Sequence, residues 1–277
     1  STNQPINQST NQPINQSTNQ PLTKPILRWM GGKGKLAADV ISKIPRHKCY
    51  VEPFCGGAAV FLKKARSKVE VINDSNGELI NLYRCIQFHP DELSKQAVSM
   101  LHSRWLFDRL KAQAPADLTD IQRAARFYAL NRMAFGGRMT SPTFGYARTS
   151  APGLSVKRFN QDIQLLSVRL DKVYVEHLDW ANCVERYDSA DTLVYCDPPY
   201  YKTAGYGVEF GLEQYEKMAK IASDMSGKML ISINDCEEIR DIFADFTIEQ
   251  LRIKYSVGKA QREQSRKEFF ELLIRNY

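Results

Sequence analysis

The sequence predicts an alternating α/β fold: a mostly parallel sheet with an antiparallel pair at its edge, interrupted by an inserted, mainly helical domain. Three observations carry this. From Lys24 onward, short apolar runs of strand length alternate with amphipathic helical stretches, the pattern of a parallel sheet with crossover helices. Two late strands follow one another with no helix between, as an antiparallel pair does. Between the second strand and the third lie about a hundred residues, where a doubly wound sheet needs a single helix.

Residues 1–22 read as a disordered leader. STNQPINQSTNQPINQSTNQP repeats an eight-residue unit, and residues 1–21 contain only Ser, Thr, Asn, Gln, Pro and Ile. So little apolar surface cannot offset the entropy of ordering a chain. The octanucleotide CAACCAAT, repeated, translates in all three frames as this same cyclic peptide. The leader is therefore expected to be the trace of a slippery DNA tract, in which gain or loss of one copy shifts the downstream frame and switches expression; an inert tail or binding linker is the alternative.

Gly34–Ile44 is predicted helical, with Leu36, Val40, Ile41 and Ile44 on one face and Pro45 closing it. Strands follow at Cys49–Val51 and Val69–Ile72, with helices at Ala58–Ala65 and Asn76–Gln87. After the insertion, strands are predicted at Val173–Leu178, Asp191–Cys196 and Lys228–Ile233, with helices at Tyr215–Met225 and Glu237–Phe243. Ile248–Val257 and Glu268–Arg275 form the late antiparallel pair. The insertion takes residues 88–165, which leaves 23–87 and 166–277 as the sheet domain; within it TSPTFGYARTSAPG is a loop.

Composition fits a soluble chain: 277 residues, 43% hydrophobic and 25% charged. No apolar run approaches the roughly 20 residues that span a bilayer, and a cytoplasmic location is expected. Six cysteines form no C-x-x-C pair and four histidines no ligand-spaced cluster, so reduced thiols and no metal are expected. Net charge is +7, and residues 121–170 hold eight Lys/Arg (Arg123, Arg126, Arg132, Arg138, Arg148, Lys157, Arg158, Arg169) against the single acid Asp162. That window reads either as a solvated basic face or as a footprint for nucleic-acid phosphates.

Three sites stand at predicted strand ends, where open α/β sheets bind ligands. Glu52-Pro53-Phe54-Cys55-Gly56-Gly57 follows the first strand, and Asp74, placed to accept from ribose hydroxyls, follows the second. The turn lacks G-x-G-x-x-G spacing, which favours a nucleoside without a pyrophosphate. Upstream, Arg28-Trp29-Met30-Gly31-Gly32-Lys33 sets an indole and an ammonium on either side of a diglycine turn. Asp197-Pro198-Pro199-Tyr200 closes the apolar strand Leu193–Cys196. Its prolines fix the backbone and remove two N–H donors, leaving carbonyls and a carboxylate as acceptors for a donor amine, with Tyr200 beside it.

RWMGGK, VEPFCGG, IND, LNRMAFGGR, VYCDPPY, LISIND and ELLIRNY, in this order from about Lys24 to Tyr277, resemble the Dam family of DNA adenine-N6 methyltransferases. The resemblance implies a Rossmann-like methyltransferase sheet and S-adenosylmethionine as methyl donor, with no metal. It implies that Trp29 and Lys33 hold the methionine and sulfonium end, that Phe54 to Gly57 (Gly56 included) line the donor, that Asp74 holds the ribose, and that Asp179 lies near the adenine. Asp197 is implied to contact both the donor's amino acid part and the target amine. The reaction implied is in-line displacement on an adenine flipped out of duplex DNA, with Asp197 and the Pro198 carbonyl accepting from its N6 amine and Tyr200 stacking on the base.

The insertion would be the target-recognition domain, matching only in part. Asn131-Arg132 and Phe135 fit its N-R-x-x-aromatic start, so Arg132, Phe135, Arg138 and Arg148 are the expected DNA contacts, Phe135 as a wedge. Phe135 as core and Arg138 as a solvated charge are the alternatives. Family members acting on GATC usually continue with Asn-Gly-Leu and a longer Gly-x-Phe-Asn-x-Pro segment; here Gly136-Gly137-Arg138 and TFGYARTS stand instead, so relaxed or altered specificity is as open as GATC. An N4-cytosine methyltransferase and a catalytically inactive DNA-binding module remain rivals, and a protein-glutamine methyltransferase fits less well. The resemblance leaves room for a cognate restriction endonuclease as partner.

Overall fold

The computed structural model describes residues 22, 24–29, 31, 33–202, 210–253 and 269–277. The repeat through residue 21, Met30 and Gly32 of the diglycine turn, and the predicted strand beyond residue 253 lie outside them. Leu22, assigned to the leader, is buried in the main apolar cluster, so the folded part begins at least there.

The sheet contains β1 (Cys49–Glu52), β2 (Val69–Asn73), β3 (Tyr174–Glu176), β4 (Thr192–Cys196), β5 (Lys228–Asn234), β6 (Thr247–Ile253) and β7 (Phe269–Arg275). Their order is β3-β2-β1-β4-β5-β7-β6. β1 to β5 run parallel, and β7 enters antiparallel between β5 and β6. The predicted edge pair is thus present, and β7 lies one strand in from the edge.

Ten α-helices are described: α1 (Ala37–Ser42), α2 (Ala59–Lys63), α3 (Gly77–Phe88), α4 (Pro90–Ala97), α5 (Arg104–Ala112), α6 (Asp120–Met133), α7 (Val156–Leu170), α8 (Trp180–Tyr187), α9 (Leu212–Asp224) and α10 (Glu237–Ile242). Several differ from the sequence reading, α9 beginning at Leu212, three residues ahead of the predicted start. α1 starts later than Gly34, because residues 33–36 form turns. α7 runs through position 165, so the break placed there falls inside a helix. α8 was not predicted; its N-cap is Asp179, which accepts from the Ala181 and Asn182 amides, the usual way a short carboxylate starts a helix.

Period-two alternation divides the strands between two apolar clusters. Tyr50, Ile72, Leu193, Tyr195, Leu230 and Leu273 face α1–α3. Val51, Val71, Val194, Cys196, Ile231 and Leu272 face α8–α10. Helices of segment 88–165 share the first cluster, with Leu93, Phe107, Ala125 and Phe159 all buried in it. The segment is therefore packed onto that face of the sheet through α3.

Beneath this packing, Glu70 takes Lys64 and Arg169 together, with Arg169 also donating to the Phe61 carbonyl. All three side chains are at most 6% exposed. Glu70→Gln leaves two buried cations uncompensated, and is expected to lower stability by about 3–5 kcal/mol in urea unfolding. Among the described residues no helix is long and apolar enough to cross a membrane.

Candidate active site

β1 sits between β2 and β4, so successive connections leave it in opposite directions and a crevice opens at the carboxyl ends of β1 and β4. A cavity of about 650 Å³ occupies this place, lined among others by Trp29, Phe54, Asp74, Asp179 and Asp197. Every residue expected to hold the donor lines this cavity.

The ammonium of Lys33 lies 2.8 Å from Asp197 Oδ1 and 2.8 Å from Glu271 Oε1, and donates to the Tyr200 hydroxyl at 2.6 Å. The Lys33 side chain is only 3% exposed. Burial works against its charge, but the two carboxylates outweigh this and hold its pKa well above the usual value, so it stays protonated. Asp197 is pushed up to about 6 by burial, with Lys33 opposing the rise. Ser232 of β5 donates to Asp197, and the Tyr195 hydroxyl meets Ser232. At the end of β1, Glu52 accepts from Tyr50 and is raised to about 8 by burial, which leaves it largely neutral at pH 7.

The Gly-Gly turn is fastened to the end of β2. Asp74 accepts from the Gly56 amide at 3.0 Å and the Asn76 amide at 2.9 Å, one bond to each oxygen. Burial raises its pKa, and these backbone donors act against the rise. Fully buried Asn73 ties the Pro53 and Leu178 carbonyls, holding the first and third strand ends together. Gly56 has φ +46°, and a side chain there would run into the Trp29 indole. Glycine is required on both counts.

Phe54 is stacked on Trp180 at 5.8 Å between centroids, and Phe210 meets Phe54 edge-on. Trp180 Nε1 donates to Gln214. With Asp179 at the rim, these rings form an aromatic wall of the cavity.

Pro198 and Pro199 line the cavity too. Asn234 at the end of β5 fixes this loop, accepting from the Tyr201 amide and donating to its carbonyl, while the Tyr215 hydroxyl donates to the Pro199 carbonyl. Tyr200 is anchored inward: its hydroxyl accepts from Lys33 and donates to Glu271, and the Lys33 ammonium lies 4.2 Å from its ring centroid.

The expected DNA contacts divide. Phe135 is 66% exposed, on a turn bridged to the loop through Ala134 and Phe144, so it is not core. Arg138 and Arg148 are exposed nearby. Arg132 is instead committed to the protein, donating to the Gly153 and Ile26 carbonyls. Adjacent Asn131, fully buried, takes both the amide and the carbonyl of Arg28. This pair fastens segment 25–29, with Trp29, to α6. The basic window is similarly reduced: Arg123 pairs with Glu78 and Asp120, Arg126 binds the Leu110 carbonyl, Arg158 meets Asp162, and Arg169 is buried. Arg138, Arg148 and Lys157 remain as exposed charge, and Arg158 is 66% exposed beside Asp162. They are joined by exposed Tyr146 and by Arg104, whose guanidinium sits 4.7 Å from the Phe144 ring.

Several site residues escaped the sequence reading: Glu271, Ser232, Trp180, Phe210 and Gln214. Only Glu271 carried a local signal, as a lone acid inside the apolar run FFELLIR. The six cysteines are unpaired, and among the described residues no His/Cys/Asp/Glu cluster is placed to hold a metal.

A family model for D12 class N6 adenine-specific DNA methyltransferase matches residues 29–257. The chain is 26% identical over 257 residues to the DNA adenine methylase of Escherichia coli strain K12, covering 85% of this chain and 89% of that protein. It is 25% identical over 254 residues to the DNA adenine methylase of Haemophilus influenzae, covering 85% and 88%. With the type II methyltransferase M.MjaIII of Methanocaldococcus jannaschii it shares 24% identity over 291 residues, covering 92% and 99%. Neither the cytosine-N4 reading nor the inactive module is favoured by these matches. The strand order, the cavity at the β1/β4 crevice and the matched span agree: the chain belongs to the D12 class N6 adenine-specific DNA methyltransferases.

Proposed function

We propose that the cavity binds S-adenosylmethionine and presents its methyl group to the N6 amine of an adenine flipped out of duplex DNA. The observation that carries this is Asp197, a carboxylate at the carboxyl end of β4 that lines the same cavity as Asp74 and the aromatic wall. The cavity suits the donor: its size is within the roughly 300–1,000 Å³ of small-molecule sites, and it offers flat aromatic surface, a carboxylate for ribose hydroxyls and an acidic end for a cationic group. S-adenosylmethionine, when bound, supplies a methyl group carried on a positively charged sulfur.

The chain's residues supply position and electrostatics. Asp74 would accept from the ribose, the stacked Phe54–Trp180 pair would offer one aromatic face to the adenine with Asp179 at its edge, and Trp29 closes the side over Gly56. Asp197 and the Pro198 carbonyl accept hydrogen bonds from the target amine and so orient its nitrogen lone pair toward the donor. Tyr200, its ring fixed through the hydroxyl, is the surface on which the base stacks. Phe135 enters the duplex where the adenine leaves it, and Arg138, Arg148 and Arg104 hold DNA. Arg132 serves this surface by shaping the loop. The shortened loop supports a target sequence relaxed from or different to GATC, and a cognate endonuclease fits as partner.

Calorimetric titration of S-adenosylmethionine is expected to show one site, with affinity falling about 10- to 100-fold in Trp180→Ala through loss of aromatic stacking. Absence of binding to the unaltered protein overturns the reading.

A further inference from the structure

Glu271 comes from β7, where it pairs with Asn234 of β5. Because β7 runs antiparallel, its first residues lie beside the carboxyl ends of the parallel strands, the end at which Asp197 stands. A parallel strand in that place would bring its last residues there instead.

We propose that Glu271 is a positioning residue for methyl transfer: it fixes Lys33 and Tyr200, and by sharing the Lys33 ammonium it keeps Asp197 a strong acceptor for the target amine. This rests on the reading of Asp197 as that acceptor. Both Glu271 oxygens have a partner: Oε1 forms an ion pair with Lys33 at 2.8 Å, without hydrogen-bond geometry, and Oε2 accepts from the Tyr200 hydroxyl at 2.8 Å. The residue is fully buried in an otherwise apolar stretch, a costly place for a carboxylate. Fold stability does not call for it, since β7 is already paired along both of its edges.

Charge gives the arrangement its direction. One ammonium serves two carboxylates, so neither is fully neutralised, and the excess negative charge faces a cavity suited to a cationic donor. The titratable groups around Asp197 are Lys33, Glu52 of β1, Tyr195 of β4, Tyr200 and Glu271, with the Ser232 hydroxyl donating. Burial raises the Asp197 carboxyl first; Lys33 lowers it, and Glu271 raises it again. Without the Glu271 charge, Lys33 belongs wholly to Asp197, which then ionises more readily and accepts more weakly.

The test is kcat against pH on duplex DNA with labelled donor, for Glu271→Gln and Glu271→Asp, with folding checked by circular dichroism. In the Gln variant kcat is expected to fall about 10- to 100-fold, as a misplaced reacting group costs, and the acid limb to move to lower pH. The Asp variant keeps the charge and should keep the limb at its wild-type position. A limb unmoved in the Gln variant, or moved equally in both, overturns the proposal. If the Gln variant does not fold, the Asp variant decides: its kcat must fall with the KM for DNA unchanged, and an unchanged kcat refutes the role. Asp197→Asn measured alongside separates the two failures. Activity in that variant removes the reading of Asp197, whereas its inactivity beside an unmoved Glu271→Gln limb removes only the role of Glu271.

Discussion

Asp197→Ala is expected to reduce methyl transfer by at least about 10³-fold, the scale on which an oriented polar group acts in a transition state, while the protein stays folded. On the proposed role of Asp197, activity is lost because no other carboxylate at the end of β4 can accept from the target amine. The fold survives for a reason of charge. In the unaltered protein Lys33 faces Asp197 and Glu271 together, and removing Asp197 leaves one buried cation with one buried anion, a balanced pair still bonded to Tyr200. Incorporation of labelled methyl into DNA, beside a thermal melt, checks both halves; undiminished incorporation sinks the assignment. The unaltered enzyme carries the matching pH signature. With the Asp197 carboxyl pushed up to about 6 by burial against the opposing pull of Lys33, it is ionised at pH 7 and above. Protonation occupies the acceptor, so kcat should fall as pH drops through that value.

Local pattern made the parallel strands legible, because short runs of three to seven residues ended at acids, prolines and glycines. Asp74 and Asp197 lie at those run ends and line one cavity for the same reason: strand ends are where a sheet of this kind stops burying its residues; Trp29 and Lys33 reach the same cavity from the turn ahead of α1. Order within the sheet was not legible, since nothing local to FFELLIR says that it enters between β5 and β6. Glu271 was missed with it, as its partner Lys33 is far away in the chain. The basic window shows the opposite error. Counting charges at 121–170 treats every arginine as available, yet Arg123, Arg126, Arg132 and Arg169 hold carboxylates and carbonyls inside the protein. Whether an arginine faces solvent depends on tertiary partners that composition does not record. Nothing local in the sequence marks Trp180 or Phe210 as site residues, and only the fold sets them beside Phe54.

Lys33→Met is expected to damage stability and activity together, and the pH dependence of what remains identifies the cause. Methionine fills the space but leaves Asp197 and Glu271 as two carboxylates in a site that Lys33 had neutralised in part. With Lys33 and Glu271 at most 3% exposed, the loss falls in the range of a broken buried pair, about 3–5 kcal/mol. The site relieves its repulsion by binding a proton. Lys33 is the group that pulls the Asp197 carboxyl down against burial, while Glu271 pushes it up, so without the ammonium Asp197 protonates at higher pH than in the unaltered enzyme. A protonated Asp197 has lost its free acceptor, and activity at pH 7 should nearly vanish. The sign of recovery follows: as pH rises the proton leaves, and residual kcat should climb through the alkaline range where the unaltered enzyme is flat. This distinguishes loss of charge from loss of shape, because a variant that merely misfolds at this position gains nothing from base. Urea unfolding with kcat measured from pH 6 to 10 reads both effects, and a residual activity that stays flat across that range removes Lys33 from the control of Asp197.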